Sequence, residues 1–181
     1  MRRIVPLLIF AALALAPAAA QADHIVGMPC SSCASHDLWP RIDIDNVKRS
    51  DKEGATNLTG SSDSDELMGH HTSDVLRGLG GSDVLWGDYD PIGQPASQVD
   101  RIFGGGGEDF IYGSHGRNVI FGGAGNDAIS VHYGRGAVDC GPGRDIYHVA
   151  RSRKHKYTFV NCEKAEYRTE KQRGGGLKPL R

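Results

Sequence analysis

The chain has 181 residues, a formal net charge of -1 at pH 7 and 25 glycines. This length allows one domain of modest size, and no segment beyond the N-terminus is apolar enough to span a membrane. The charge is segregated, since acids outnumber bases over residues 57–147 and bases outnumber acids from residue 148 onward. We therefore expect the acidic part to attract cations, and we expect no nucleic-acid partner.

Residues 1–22 combine a basic start, an apolar run and small residues at Ala20 and Ala22. This pattern predicts a secretory signal peptide that is cut after Ala22. An uncleaved anchor is the alternative, although the apolar run is short for a membrane span. The prediction is a secreted, extracellular protein.

Residues 23–56 contain no repeat. Their prolines and their Asp, Asn and Ser content predict an irregular N-terminal cap with one short strand over residues 42–47. Because a bare solenoid end exposes apolar side chains and strand edges, we expect this segment to cover the N-terminal end of the repeats that follow.

A nine-residue repeat fills residues 57–148, with good units beginning at Gly60, Gly69, Gly78, Gly104, Gly113, Gly122 and Cys140. Units at Gly87 and Val131 fit less well, and the first of these carries an insertion over residues 88–98. The eighth position is apolar in every unit: Leu67, Leu76, Leu85, Ile102, Ile111, Ile120, Ile129, Val138 and Tyr147. One apolar residue in nine is too sparse for a helix face or a hairpin sheet, so each unit must bury it by stacking on its neighbours in a solenoid.

The motif G-G-x-G-x-D-x-U-x, in which U is apolar, is clearest between Gly104 and Ser130. It resembles the calcium-binding nonapeptide repeat of the hemolysin-type, or RTX, proteins. The resemblance implies an all-β fold, a right-handed parallel β-roll (a β-solenoid), in which six residues form a turn, three form a short strand and two units complete one coil. The residues agree with this fold, because glycines at the first, second and fourth positions permit positive φ and the apolar residues suit strands.

With two units per coil, units eighteen residues apart share an edge of the roll, and their sixth positions form two columns. The odd column contains Asp65, Asp83, Asp109, Asp127 and Asp145. The even column contains Asp74, Asp100, Asn118 and Gly136, so its acids disappear toward the C-terminus. A file of carboxylates at roughly the 4.7–4.9 Å spacing of strands repels itself unless cations lie between the coils.

Calcium suits such turns best, because it accepts several oxygen ligands in flexible geometry, whereas magnesium demands a stricter octahedron. We predict Ca²⁺ sites between successive turns of the odd column, with Asp74 and Asp100 as further ligands in the even column. Backbone carbonyls at the first and third positions are the predicted co-ligands, namely those of Gly78, Gly80, Gly104, Gly106, Gly122 and Ala124. The alternatives are a glycine-rich roll that needs no metal and a disordered low-complexity segment.

Four cysteines in an exported chain favour disulfides, with three pairings formally open. The sequence DCGPGRD, followed by NCE, is similar to the ends of small secreted calcium-repeat proteins of actinobacterial type. This resemblance favours a bond between Cys140 and Cys162, and Cys30 would then pair with Cys33. A redox or zinc role for these last two lacks the βαβ context or the second cysteine pair that such sites need.

The other segments are assigned from composition. Residues 149–169 are predicted to form a C-terminal cap, with a capping strand over residues 157–162 lying across the roll's end, and residues 170–181 a disordered basic tail. The insertion over residues 88–98 is expected to project as a loop from the even edge. His115 and His132 lie in even turns, where a stacked transition-metal pair is an alternative to two histidines without a role.

These features predict a secreted calcium-binding β-roll whose folding depends on calcium. A cell-surface or matrix adhesion protein, which uses the roll as a scaffold and binds cell-wall or matrix polysaccharide, is the alternative. No nucleophile elbow, no H-E-x-x-H motif and no acid pair outside the repeat points to catalysis, so we expect no enzyme activity.

Overall fold

The computed structural model of the protein describes residues 24–26, 42–50, 54–89 and 93–166. The expected signal peptide, the pairing of Cys30 with Cys33, and the basic tail over residues 170–181 lie outside the described residues. Within them, no helix is long and apolar enough to cross a membrane.

The described residues form fifteen strands and one short 3-10 helix, Lys154–Lys156. The strands are β1 (His24–Val26), β2 (Ile42–Ile44), β3 (Asn46–Arg49), β4 (Asn57–Thr59), β5 (Asp65–Met68), β6 (Val75–Gly80), β7 (Val84–Trp86), β8 (Val99–Gly106), β9 (Phe110–Tyr112), β10 (Arg117–Ala124), β11 (Ala128–Ser130), β12 (Arg135–Asp139), β13 (Ile146–His148), β14 (Tyr157–Val160) and β15 (Lys164–Glu166).

From β3 onward the strands alternate between two parallel sheets. The even sheet has the order β14-β12-β10-β8-β6-β4, and the odd sheet has the order β15-β13-β11-β9-β7-β5-β3. Strands that are two apart in the chain are neighbours in space, so that Ile111 of β9 pairs with Ile129 of β11. The structure therefore confirms an all-β roll of parallel strands with two nonapeptide units per coil.

The eighth positions of both sheets meet inside the roll. All nine predicted core residues from Leu67 to Tyr147 belong to one cluster, in which no side chain is more than 7 % exposed. Leu58, Phe159 and Ala165 extend this cluster at its two ends. The predicted pattern of one apolar residue per unit is confirmed.

The odd sheet also buries its outward face. A second buried cluster there contains Ile44, Met68, Val84, Trp86, Phe110 and Ala128. The Trp86 ring stacks on Tyr112 with the ring centroids 4.0 Å apart, and its Nε1–H donates to Glu66. The sequence analysis missed this cluster, because the seventh and ninth positions of the units share no residue type.

The N-terminal segment contains more strand structure than expected. The single strand predicted over residues 42–47 is two strands, of which β2 pairs antiparallel with β1 and β3 pairs parallel with β5. The register places Lys48 of β3 opposite the core residue Leu67. The exposed Lys48 donates from Nζ to the carbonyl oxygen of Thr59 at 2.6 Å. A polar side chain therefore stands at the end of the apolar column.

The C-terminal segment adds one strand to each sheet at the end of the roll, and the expected capping strand is present. β14 pairs parallel with β12, and β15 pairs parallel with β13. A disulfide joins Cys140 to Cys162, as predicted. The predicted capping strand is thus the even strand of one further coil.

The described part of the insertion packs against the roll, although the sequence predicts a projecting loop. Gln98 is 4 % exposed, and its Nε2 donates to carboxylate oxygens of Asp88 and Asp100 at 3.4 and 3.3 Å. The backbone N–H of His115 donates to Oε1 of Gln94 at 3.2 Å. These hydrogen bonds hold the two ends of the insertion to the even turns.

Glycine is required at the first position of the odd turns that precede Cys140, because successive turns touch there. A Cβ on Gly104 would lie 2.2 Å from the carbonyl oxygen of Gly122 and 2.3 Å from Oδ2 of Asp109. By contrast, a Cβ on Gly106, at the third position, would meet no atom within 4 Å. The first glycine therefore sets how closely the coils stack.

We predict that Gly104→Ala lowers the free energy of unfolding by about 1–3 kcal/mol, because backbone atoms must move to admit the methyl group. The matched control, Gly106→Ala, should change it by less than about 0.5 kcal/mol. Thermal unfolding of both variants at one saturating calcium concentration measures the difference. Equal melting temperatures would contradict the close contact of the first positions.

Candidate metal site

The odd-column aspartates line up inside the roll, each at the end of a turn where an odd strand begins. All five are almost completely buried: Asp65, Asp83, Asp109, Asp127 and Asp145 are each at most 2 % exposed. Each side chain points inward because the sixth and eighth positions share the inner face of the strand. The structure thus brings together the acids that the sequence assigned to one column.

A ladder of hydrogen bonds connects these aspartates from coil to coil. Oδ1 of Asp83, Asp109, Asp127 and Asp145 accepts the backbone N–H of the preceding column member at 2.7, 2.8, 2.9 and 2.8 Å, respectively. One oxygen of each of these carboxylates is therefore satisfied by the backbone of the coil before it.

The second oxygen of the same carboxylates has no such partner. Oδ2 of Asp83, Asp109, Asp127 and Asp145, and Oδ1 of Asp65, are buried and accept no hydrogen bond from the described residues. A buried carboxylate oxygen without a partner is costly, and it is the type of atom that a cation would satisfy.

Backbone carbonyls lie next to these unpaired oxygens. If Gly78 carried a Cβ, this atom would lie 2.1 Å from Oδ2 of Asp83 and 2.3 Å from the carbonyl oxygen of Gly104. A Cβ on Gly122 would lie 2.6 Å from Oδ2 of Asp127 and 2.3 Å from the carbonyl oxygen of Cys140. A carboxylate oxygen and the first-position carbonyl of the next turn therefore approach the same point, and this donor set fits a calcium ion.

Burial raises the pKa of the inner aspartates strongly. Burial is the main cause, and the charge of neighbouring carboxylates acts in the same direction. Together they raise the pKa of Asp109 to about 8, and that of Asp83 and Asp127 to about 7 each. Burial likewise raises the pKa of Asp145. Without a cation, this column holds its negative charge poorly at neutral pH.

The even column is satisfied by the protein itself. Asp74 accepts the backbone N–H of Thr56 on Oδ1 at 2.9 Å and that of His70 on Oδ2 at 2.8 Å. Asp100 accepts the N–H of Asp74 on Oδ1 at 3.0 Å, and its Oδ2 accepts from Gln98 and Ser114. These two predicted ligands have no unpaired oxygen, in contrast to the odd column.

A tyrosine takes the place of acids at the C-terminal end of the even column. Asn118 donates from Nδ2 to the hydroxyl oxygen of Tyr157 at 2.9 Å, and that hydroxyl donates to the carbonyl oxygen of Tyr133 at 2.7 Å. Gly136 stands between Asn118 and Tyr157 in the register and has no side chain to block this contact. Toward the C-terminus, the carboxylates of the even column are thus replaced by neutral groups that hydrogen-bond to one another.

The histidines do not form the stacked pair that the sequence left open. The ring of His115 stacks on Tyr133, with the centroids 4.3 Å apart, while His132 meets the same tyrosine edge-on at 6.5 Å. Over the described ranges, no three side chains of His, Cys, Asp or Glu converge as a metal centre.

The sequence analysis missed one member of the odd column. Oε2 of Glu163 accepts the N–H of Asp145 at 2.7 Å, so Glu163 continues the ladder by one further coil. The signal was present in the spacing, since Glu163 follows Asp145 by eighteen residues. It was overlooked because no glycine-rich turn precedes it.

The comparisons with known proteins agree with this geometry. Residues 59–89 and 97–129 match the family model of the RTX calcium-binding nonapeptide repeat, in four copies. No curated protein and no solved structure matched the chain significantly.

In calcium-free buffer, we predict that the roll loses stability as the pH rises. In the folded chain Asp83, Asp109 and Asp127 keep protons up to a pKa of about 7, 8 and 7, respectively, whereas unfolded carboxyls release theirs near about pH 4. The folded state therefore binds more protons between these values, so the free energy of unfolding falls from about pH 4 to about pH 8. Circular dichroism and thermal unfolding after calcium removal measure this trend.

The control for this prediction is Asp109→Asn. The asparagine keeps an oxygen for the N–H of Asp83 but cannot titrate, so the pH dependence should become shallower. A calcium-free stability that increases with pH would contradict the assignment of buried, proton-holding carboxyls.

Proposed function

We propose that this protein binds calcium between successive odd-column turns and that calcium drives the folding of the roll, because residues 59–89 and 97–129 match the RTX calcium-binding nonapeptide repeat. The unpaired carboxylate oxygens carry this proposal. Each lies in the interior, where it destabilises the metal-free roll at neutral pH and would be stabilised by a divalent cation.

The proposed ligands are the free oxygens of the odd column and backbone carbonyls of the turns. The first-position carbonyls of Gly104, Gly122 and Cys140 have the strongest support, because they lie beside those oxygens. The carbonyl of Gly78 lies beside Oδ2 of Asp65, which already accepts from Ser61, so this predicted ligand has weaker support. The third-position carbonyls of Gly80, Gly106 and Ala124 stay predictions, and the oxygen of Ala124 already accepts the N–H of Gly107 at 2.8 Å. Calcium tolerates such mixed oxygen ligands better than magnesium does.

Asp74 and Asp100 are weaker candidates than the odd aspartates. Hydrogen bonds from the protein already occupy both oxygens of each carboxylate. We infer that these two residues hold the even turns in place and that calcium acts mainly on the odd edge. The two edges of the roll would then depend differently on calcium.

Folding and calcium binding are coupled in this proposal, because the sites need neighbouring coils that the unfolded chain lacks. Individual sites should be weak, with dissociation constants around 10⁻⁴–10⁻³ M as in extracellular modules. Shared ligands between coils should make the ions bind cooperatively. The chain would then fold where calcium is abundant.

We place the protein outside the cell. The predicted signal peptide motivates this localisation, and the disulfide between Cys140 and Cys162 supports it, because such bonds persist in oxidising compartments. The role that we propose is binding, not catalysis, since the stacked and buried aspartates are better suited to hold cations than to act on a substrate.

A second candidate function is adhesion to acidic polysaccharide, and the outward face of the even sheet favours it. Five exposed cations surround this face: Arg77, Arg101, Arg117, Arg135 and Lys156. In the register, Arg117 and Arg135 are direct neighbours on β10 and β12. Asp139 is the only acid that the described strands place on this face. The excess of cations on this face fits a polyanion that lies across the strands.

The packing of Phe103 on this face argues for a polysaccharide over a single-stranded nucleic acid. Phe103 stacks on Phe121 with the centroids 5.3 Å apart, and the guanidinium of Arg77 lies 5.5 Å from the Phe103 centroid on the neighbouring coil. Proteins that bind single strands leave aromatic faces open for the bases. The faces of Phe103 are already occupied by its neighbours.

We predict that calcium induces strand structure in the mature protein at roughly 0.1–1 mM, as expected for extracellular calcium modules. The double variant Asp109→Asn, Asp127→Asn should need at least about tenfold more calcium, because two buried charges that attract the ion are gone. Circular dichroism during calcium titration measures both midpoints.

The matched control for the calcium titration is Asp63→Asn with Asp139→Asn, which removes the same charge from side chains outside the columns. Its midpoint should stay within about twofold of wild type. Coincident curves for wild type and the odd-column variant, or full order in excess chelator, would refute calcium-driven folding.

For the second function, we predict that the calcium-loaded protein binds immobilised dextran sulfate and not neutral dextran, with affinity that falls as salt rises. Arg101→Gln, Arg117→Gln and Arg135→Gln together should weaken binding at least about tenfold. The control variant, Arg144→Gln with Lys164→Gln, changes cations beside the odd column and should bind nearly as wild type. Equal binding by both variants would assign the interaction to another surface.

A further inference from the structure

The last coil contains a pair of acidic residues, Asp145 and Glu163, which lies outside the residues that match the nonapeptide repeat. Asp145 precedes β13 and Glu163 precedes β15, and the register of these strands places the two residues side by side. The hydrogen bond from the N–H of Asp145 to Oε2 of Glu163 is 2.7 Å long, equal to the shortest rung among the aspartates. Glu163 thus occupies the place that an aspartate has in earlier coils.

Asp145 has a buried carboxylate oxygen that is available to a cation. Asp145 is 1 % exposed, and its Oδ2 is buried without a hydrogen bond from the described residues. A cavity of about 310 Å³ opens beside Asp145 and Glu163 and is also lined by Asn126. The second carboxylate oxygen of Glu163 lies at this edge of the roll, where the side chain is exposed.

The charge of Glu163 is not neutralised by the cations that flank it. Arg144 and Lys164 line the same cavity. Neither is recorded in an ion pair with Glu163 in the part of the chain that the structure describes. Among the described residues, these two carboxylates therefore have no ion-paired counterion.

The disulfide joins the two turns that carry this pair. Cys140 occupies the first position of the turn that ends at Asp145, and Cys162 directly precedes Glu163. In earlier odd turns the first position is glycine, because the next turn leaves no space for a side chain. Cys140 has a side chain, and it is fully buried with its sulfur bonded to the next coil. The covalent bond thus holds the segment that positions Glu163.

We propose that Glu163 and Asp145 form a terminal calcium site and that the bond between Cys140 and Cys162 preorganises it. This inference rests on the proposed calcium binding of the odd column. The last coil has no further coil stacked on it among the described residues, so it is the coil most prone to local opening. A calcium ion and a disulfide at the same place would close that end of the roll, and reduction of the disulfide would weaken the last site before the others.

Counting bound calcium by equilibrium dialysis tests the site. Glu163→Gln keeps an oxygen for the N–H of Asp145 and removes only the charge, so it should bind one calcium fewer than wild type. The matched control, Glu108→Gln, changes an exposed carboxylate that accepts a bond from Asn126 and lies off the column, and it should bind the wild-type number. Hydrogen exchange of β13 and β15 should be faster in Glu163→Gln, while that of β5 to β11 is unchanged.

The role of the disulfide is tested with Cys140→Ser, Cys162→Ser. This variant should need about tenfold more calcium to protect β15 from exchange, with the same calcium midpoint for β5 to β11, because the disulfide restricts the loop that it closes. An equal midpoint for β15 in wild type and variant would overturn the preorganising role.

The outcomes of these experiments distinguish the terminal site from the proposed calcium binding of the odd column. Absence of calcium binding by the wild-type protein would refute the proposed function itself. Wild-type binding with the same number of ions in Glu163→Gln would refute only the terminal site. A loss of exchange protection throughout the roll in Glu163→Gln would also refute it, since Glu163 would then support the fold as a whole.

Discussion

The interaction on which the structure depends is the hydrogen bond from each odd-column N–H to the aspartate of the next coil. It fixes the spacing of the coils and draws a carboxylate into the core, where only one of its two oxygens is satisfied. The same contact that aligns the coils therefore creates the demand for a cation. Structure and proposed function are linked at these atoms, since the odd edge stacks by placing carboxylates inside the roll.

The buried carboxylates are satisfied in different ways at the two edges of the roll. On the even edge, threonine, glutamine and serine side chains join the backbone in satisfying Asp74 and Asp100, and later coils replace the acid with Asn118 and Gly136. On the odd edge the glycine-rich turns offer few side chains, so the oxygens stay unpaired. This difference confines the strongest support for calcium to one side of the molecule.

The nine-residue period predicted a solenoid with one buried apolar residue per unit, and the resemblance to the RTX repeat supplied the parallel roll with two units per coil, from which the alignment of the odd aspartates followed. These features recur in every unit, so each copy reinforces the same assignment. The outward cluster around Trp86 and Phe110 could not be predicted, because it depends on which unlike residues become neighbours across strands. Glu163 and β15 were missed for a related reason, since the last coil keeps the register of the roll but lacks its glycine signature.

Lys48 has a consequence for how separate molecules meet. Among the described strands, β3 and β4 are the end strands of the two sheets. An apolar residue at the inner position of β3 would let another roll stack on it and extend the core from one molecule into the next. The lysine instead places a charged group there and ties it to Thr59 within the same coil. A second molecule would have to strip water from that charge in order to dock. The roll is in this way protected at its first coil against growing into a filament.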